Sequence, residues 1–178
     1  MLLLFIYGAQ AQVLLRAYYL GMKNKWVVLA GLILLCEAVG AVGGFATAGN
    51  IQSWYAGLVK PSFNPPDWLF GPVWTLLYLM MAVAAWLIYR SADTPERSRG
   101  LQFWGLQLVL NAVWAPVFFA LHDKLFALGI ILLLDLAVVF TVVVFRRVNG
   151  AASTIMLPYL AWILFATTLN EELWRLNR

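Results

Sequence analysis

The sequence is poor in charge and in cysteine. Only 11% of its 178 residues are Asp, Glu, Lys or Arg, whereas an average soluble domain has about 25%. The single cysteine, Cys36, leaves no intramolecular disulfide and no cysteine metal cluster. The net charge of +4 comes from basic residues scattered between apolar runs, so it marks no basic patch. Together with an apolar content of 63%, these shortages exclude a soluble enzyme, a disordered chain and a nucleic-acid-binding domain.

Five long apolar runs account for most of the sequence. They cover residues 26–48, 72–89, 103–121, 125–145 and 155–169, and the fifth continues to 173. A helix needs about 20 residues to cross a hydrocarbon core of about 30 Å, and a backbone in lipid must satisfy its own hydrogen bonds. The alternation that marks β-barrel strands does not occur. We therefore predict an all-α integral membrane bundle of five transmembrane helices.

One connection between the runs is unusually long. Residues 90–102 and 146–152 are predicted to be polar loops, and residues 122–124 a tight turn. Residues 49–67, by contrast, form a long stretch with three prolines and several aromatic side chains. Long loops tend to be functional or disordered, and the aromatic content favours a packed lid.

Residues 1–21 form an apolar segment of a different kind. It lacks the basic start of a signal peptide, and it carries Arg16 near its end. Three interpretations of this segment stay open: a sixth span, an interfacial helix, or an artefact of an upstream start codon. An artefact or a loosely attached segment is favoured. We treat residues 1–21 as an N-terminal extension of a single membrane domain, residues 22–178.

The basic residues predict how the spans are oriented. Eight of the twelve fall on one side if there are five spans: Arg16, Lys23, Lys25, Arg90, Arg97, Arg99, Arg146 and Arg147. Cytoplasmic loops carry the excess of Lys and Arg in a bacterial inner membrane. Loops 90–102 and 146–152 are therefore predicted to be cytoplasmic, and the long aromatic loop faces outward.

Three predicted helices each carry a stripe of aromatic and polar residues at helical spacing. The stripes are Trp74, Tyr78 and Ala85; Gln107, Asn111, Trp114 and Phe118; and Tyr159, Trp162, Ala166 and Asn170. Polar side chains at membrane depth turn towards the bundle interior or a cavity. Two interpretations stay open: a cavity for a flat apolar ligand, or hydrogen bonds that join the helices.

Five of the six remaining tryptophans lie near the ends of runs. They are Trp26, Trp68, Trp86, Trp104 and Trp174. Trp is enriched where a membrane meets water, so these five are predicted to form an anchoring belt.

Two acidic residues, Glu37 and Asp135, fall inside predicted spans. A charge there is costly and points to function, but a neutral carboxyl bonded to a neighbouring helix is the simpler interpretation. Cys36, Gly40 and Gly44 are small residues four apart, which favours close helix packing over dimerisation. His122 is interpreted as a solvated turn residue and not as a metal ligand. No catalytic or metal-binding motif is present.

Three segments carry a family resemblance. They are WYAGLVKPSFNPPDWLFGPVWTLLYLMM at residues 54–81, QLVLNAVWAPVFF at 107–119 and PYLAWILFATTLN at 158–170. In this order they resemble the tryptophan-rich sensory protein and translocator protein family, also called the TspO/MBR or peripheral-type benzodiazepine receptor family. The resemblance covers residues 22–178 and leaves out the first 21.

The resemblance implies a five-helix membrane protein, often a homodimer, that binds protoporphyrin IX or haem and requires no cofactor. Matched by motif, its ligand-binding residues would be Tyr55, Trp74, Gln107, Asn111, Trp114, Trp162 and Ala166. Animal members carry a sterol-recognition stretch with a tyrosine, which residues 169–175 lack. This departure implies low affinity for sterol-like ligands and favours a bacterial-type protein of the cell membrane.

Three functions follow from these patterns and the resemblance. The first is a membrane receptor or transporter for porphyrins in tetrapyrrole sensing or stress regulation. The second is enzyme-like breakdown of bound porphyrin by light or oxygen, ranked lower because no catalytic residues or metal site are found. The third is a membrane scaffold without a physiological ligand.

Overall fold

The computed structural model describes residues 2–178, with side chains described from Lys25 onward. The helices are α1 Leu2–Ala48, α2 Asp67–Tyr89, α3 Pro95–Ala115, α4 Lys124–Val148 and α5 Gly150–Leu176. A 3₁₀ turn, Tyr55–Gly57, and a π-helical turn, Pro116–Ala120, complete the secondary structure. Five helical stretches are long and apolar enough to cross a membrane, and the described residues include no strand. The predicted all-α five-span bundle is confirmed. The side chains of the extension, residues 1–21, lie outside the described ones.

Two predicted loops are shorter than expected because polar residues cap helices there. Residues 95–102 of the predicted 90–102 loop belong to α3, and the Thr94 hydroxyl accepts a hydrogen bond from the Arg97 amide at 3.2 Å. The predicted 146–152 loop shrinks to Asn149 alone. The Asn149 amide donates to the Phe145 carbonyl of α4 (2.7 Å), and its side chain accepts from the Ala152 amide of α5 (3.1 Å). One residue therefore ends one helix and begins the next.

The five helices pack into a ring. α1 contacts α2 and α3, α2 contacts α5, α5 contacts α4, and α4 contacts α3. The centre of the ring is filled by fully buried apolar side chains, among them Met81, Ile131, Phe145, Met156 and Ile163. Towards the end where α1, α3 and α5 finish, the ring stays open inside, and the long connection between α1 and α2 crosses this end.

A chain of buried hydrogen bonds crosses the ring between α2, α3 and α5. The Tyr78 hydroxyl donates to the Asn111 carbonyl oxygen, and the Asn111 amide donates to the Tyr159 hydroxyl at 3.1 Å. The Tyr159 hydroxyl in turn donates to the Gln107 carbonyl oxygen at 2.6 Å. Unpaired polar groups are costly away from water, so this chain fixes how the three helices are rotated.

Two predicted belt tryptophans are buried in the protein instead. The Trp86 ring nitrogen donates to the Lys25 carbonyl at 2.8 Å, and that of Trp104 donates to the Met81 carbonyl at 3.2 Å. Trp86 and Trp104 are only 9% and 6% exposed, whereas Trp26 and Trp68 are 60% and 72% exposed. The belt prediction is therefore wrong for Trp86 and Trp104, because both rings turn towards neighbouring helices.

Gly40 allows α1 and α2 to approach closely, as the small-residue spacing predicted. A Cβ atom at Gly40 would lie 2.6 Å from the Tyr78 ring, whereas one at Gly44 would meet nothing within 4 Å. Cys36, one turn earlier, is fully buried. Only the first two of the three small residues thus serve helix packing.

Substitution of Gly40 by alanine should destabilise the protein by about 1–3 kcal/mol, the usual cost of overpacking a filled core. The added methyl group would push the Tyr78 ring away from α1 and strain its bond to Asn111. Thermal unfolding in detergent measures the effect, and Gly44→Ala is the matched control. Equal melting temperatures for the two variants would show that the Gly40 contact is not tight.

Candidate ligand-binding site

A cavity of about 480 Å³ lies inside the ring at its open end. α1, α2, α3 and α5 line its walls, and residues 49–66, which we call the lid, contribute Ile51 and Tyr55. Six of the seven predicted site residues line it: Tyr55, Trp74, Asn111, Trp114, Trp162 and Ala166. Its volume falls within the range of small-molecule sites, about 300–1,000 Å³.

Nine aromatic side chains line the cavity. Trp74 of α2 and Trp162 of α5 meet edge to face, with centroids 6.4 Å apart and planes at 88°. Trp114 of α3 stacks on Phe118 of the π-helical turn, with ring centroids 5.5 Å apart. The three tryptophans are partly exposed to the cavity. Walls of this kind offer flat faces to a flat apolar ligand.

Gln107 does not line the cavity. It is fully buried, accepts from the Tyr159 hydroxyl and places its amide nitrogen 3.5 Å from the Met81 sulfur. It shares a helix face with Trp114 but lies seven residues away, about 10 Å along the axis. Its position makes it a support beneath Asn111.

Most polar groups of the cavity wall are already paired with protein. Both ends of the Asn111 amide are bonded to tyrosine hydroxyls. The Trp114 ring nitrogen donates to the Asn170 carbonyl oxygen at 3.1 Å, and the Asn170 amide donates to the Lys124 carbonyl at 2.8 Å. Among the described residues, two buried polar atoms of the lining have no partner: Glu37 Oε1 and Trp162 Nε1.

Tyr55 anchors the lid over the cavity. Its ring is 2% exposed and packs against Phe118 and Phe119. Its hydroxyl donates to the Asn64 side chain at 2.7 Å within the lid. Burial, and secondly the nearby Asp67 carboxylate, raise the pKa of Tyr55 to about 12. The side chain therefore remains a neutral hydrogen-bond donor across the physiological range. The packed lid predicted from the aromatic content is confirmed.

The lid is held at two further points. The Val59 amide donates to the Asn177 side chain, and the Asn177 amide donates back to the Val59 carbonyl, both at 2.9 Å. At the other point His122 stacks on Trp54 with ring centroids 4.2 Å apart. His122 also lies 3.1 Å from the Asn50 side chain. The turn residue His122 thus supports the lid.

Comparisons with known proteins agree with this arrangement. The sequence profile of the TspO/MBR family matches residues 32–175. The chain belongs to the TspO/MBR family. The match includes every residue that lines the cavity, from Glu37 to Leu173.

Several TspO/MBR relatives align over nearly their whole length. The chain is similar to a tryptophan-rich protein TspO of Archaeoglobus fulgidus, with 42% identity over 84% of the chain and 96% of the relative. It is 37% identical to the translocator protein of Homo sapiens over 88% of the chain and 94% of that protein. It is 34% identical to the tryptophan-rich sensory protein of Cereibacter sphaeroides, over 88% and 95%. These relatives support a membrane receptor or sensor role.

The two acidic residues of this TspO/MBR chain have different surroundings. Asp135 of α4 accepts a hydrogen bond from the Thr167 hydroxyl of α5 at 2.9 Å, so it joins neighbouring helices as the simpler interpretation predicted. Glu37 of α1 lines the cavity instead. Sequence reasoning did not place Glu37 at the site. A signal was present, because Ala41 and Gly44 follow Glu37 by four and seven residues and so share one face of α1 with it.

Proposed function

We propose that the cavity binds porphyrins such as protoporphyrin IX and haem, and related flat hydrophobic ligands, in tetrapyrrole sensing or transport. The observation that carries the proposal is the meeting of Trp74, Trp114 and Trp162 from three helices around one cavity under a lid. Aromatic faces favour a flat π-system. The relatives named translocator protein and tryptophan-rich sensory protein support a role in transport or sensing.

The polar groups suggest how such a ligand would be oriented. Asn111 is committed to Tyr78 and Tyr159, so its contribution is to fix the tyrosine rings of the wall. The unpaired Trp162 ring nitrogen is free to donate to an acceptor on the ligand. The Lys60 ammonium lies 4.5 Å from the Tyr55 ring centre, close to the lid side of the cavity, where it would attract the carboxylates of a porphyrin.

Titration of the purified protein with protoporphyrin IX tests the proposal. Saturable quenching of tryptophan fluorescence is expected, because several tryptophans lie within a few ångströms of the cavity. Absence of saturable binding by either protoporphyrin IX or haem would favour a scaffold. Illumination of the complex separates binding from the enzyme-like alternative, since only the latter yields a new absorbing product. The homodimer, the bacterial cell membrane and the cytoplasmic side of residues 90–102 and 146–152 stay predictions.

Removal of the Asn177 side chain should speed the release of bound porphyrin about tenfold. Asn177→Ala deletes the paired hydrogen bonds to Val59, each worth about 0.5–1.5 kcal/mol, and loosens the lid. Stopped-flow displacement measures the release rate. Gln102→Ala, which removes an exposed amide in α3 far along the chain from the lid, is the control. Equal release rates in both variants would show that the Asn177 contact does not limit opening.

A further inference from the structure

The charged groups of the cavity are all acidic. Glu37 lines it from α1, and Asp67 lines it from the first turn of α2. Among the residues whose side chains the structure describes, no lysine, arginine or histidine belongs to the lining. A low-dielectric site lined by one sign of charge favours ligands of the opposite sign.

Glu37 is the acid of the lining with a buried oxygen that lacks a protein partner. It lies at the middle of the apolar stretch Lys25–Ala48, where an unpaired carboxylate is costly. Its Oε1 atom is buried and accepts no hydrogen bond from the described residues. The hydroxyl of nearby Tyr78 is committed elsewhere, since it donates to Asn111.

The face of α1 around Glu37 leaves room for a ligand. Ala41 and Gly44 line the cavity on the same face of α1, and a Cβ at Gly44 would meet nothing within 4 Å. Small residues of this kind let a ligand approach the helix until it touches the one long side chain of that face.

We propose that the Glu37 carboxylate contacts the ligand and selects flat ligands that present a cationic nitrogen or an N–H donor to α1. The proposal rests on the proposed function, in that the cavity must bind a flat aromatic ligand at all. Pairing with such a group supplies the missing hydrogen bond and balances the charge. Acidic groups of the same ligand then point away from α1, towards the lid and Lys60.

Two derivatives of one ring system test this selection. One is protoporphyrin IX, with its two carboxylates, and the other is its bis-amide with ethylenediamine, in which each former carboxylate chain ends in a primary ammonium group. Both are titrated against wild type, Glu37→Gln and the control Glu171→Gln, which alters an exposed acid outside the lining. A close charge pair is worth at least about 1.5 kcal/mol, so Glu37→Gln should lower the preference for the diamine about tenfold, and the control should leave it unchanged.

Other results overturn the proposal in distinguishable ways. An unchanged preference in Glu37→Gln, with both ligands still bound, rejects the role of Glu37 and leaves the proposed function intact. An equal loss of affinity for both ligands also rejects selection by charge. If neither derivative binds wild type saturably, the proposed function itself fails.

A second variant tests the same inference without touching Glu37. Gly44→Lys adds a positive charge to the same face of α1, near the end of the helix where a lysine can reach water. It should shift the preference towards the dicarboxylate by about tenfold if charge on this face selects the ligand. An unshifted preference in a folded Gly44→Lys protein contradicts the proposal.

Discussion

Replacing Trp74 and Trp162 together by alanine should weaken protoporphyrin IX binding by at least about thirtyfold. Stacking of one flat ring system on an aromatic side chain is worth about 1–3 kcal/mol, and the two tryptophans form one edge-to-face corner of the cavity. Loss of both surfaces therefore removes about 2–6 kcal/mol of binding free energy. The affinity is measured by the absorbance change of the porphyrin, because the variants have lost part of the tryptophan signal.

The matched control for this experiment replaces Trp26 and Trp68, the two strongly exposed tryptophans. Their removal alters the surface and leaves the cavity intact, so the affinity should stay within about twofold of wild type. An affinity that is unchanged in Trp74→Ala/Trp162→Ala would overturn the assignment of the cavity as the porphyrin site.

Replacing Asn111 by leucine should have the largest effect on stability, about 2–4 kcal/mol. The substitution leaves the Tyr78 hydroxyl without an acceptor, and an unsatisfied buried donor costs about 1–3 kcal/mol. The Tyr159 hydroxyl loses a donor as well, although it keeps its bond to Gln107. Because hydrogen bonds between membrane helices average only about 0.6 kcal/mol in measured cycles, the unsatisfied tyrosine is the main cost.

Unfolding in mixed micelles measures this loss, and Val109→Leu is the control on the same helix. Val109 is 61% exposed on the outer surface of α3, so its substitution should change the unfolding free energy by less than about 0.5 kcal/mol. If Asn111→Leu unfolds like the control, the hydrogen-bond chain contributes nothing that apolar packing cannot replace.

Helical spacing predicted the direction of side chains but not their depth. Asn111 and Trp114 were found because residues three, four and seven apart share a face. Gln107 shares that face and lies below the cavity floor, because periodicity carries no information on where a cavity ends. The same limit applies to Trp86 and Trp104, since a position near a run end does not show whether a ring faces lipid or another helix.

The lid shows what no periodic pattern can supply. Tyr55 was assigned only through the family resemblance, because a residue in a loop has no repeating face. Its burial depends on Phe118 and Phe119, more than sixty residues later. Two helix starts, in contrast, could be predicted from the sequence, because Thr94 and Asn149 are residue types that favour N-caps. Treating the residues that follow them as loop made both predicted loops too long.

The paired hydrogen bonds between Val59 and Asn177 join positions 118 residues apart in the chain. Asn149, by contrast, is the single residue that joins α4 to α5, and so short a connection has a small entropic cost of closure. During synthesis α4 and α5 can therefore pair as soon as both have emerged, whereas the Val59 contact must wait until Asn177 has been made. We expect a nascent chain truncated before Asn177 to hold its hairpin and to lack the final closure. The lid is thus fastened at Val59 only after the α4–α5 hairpin can form.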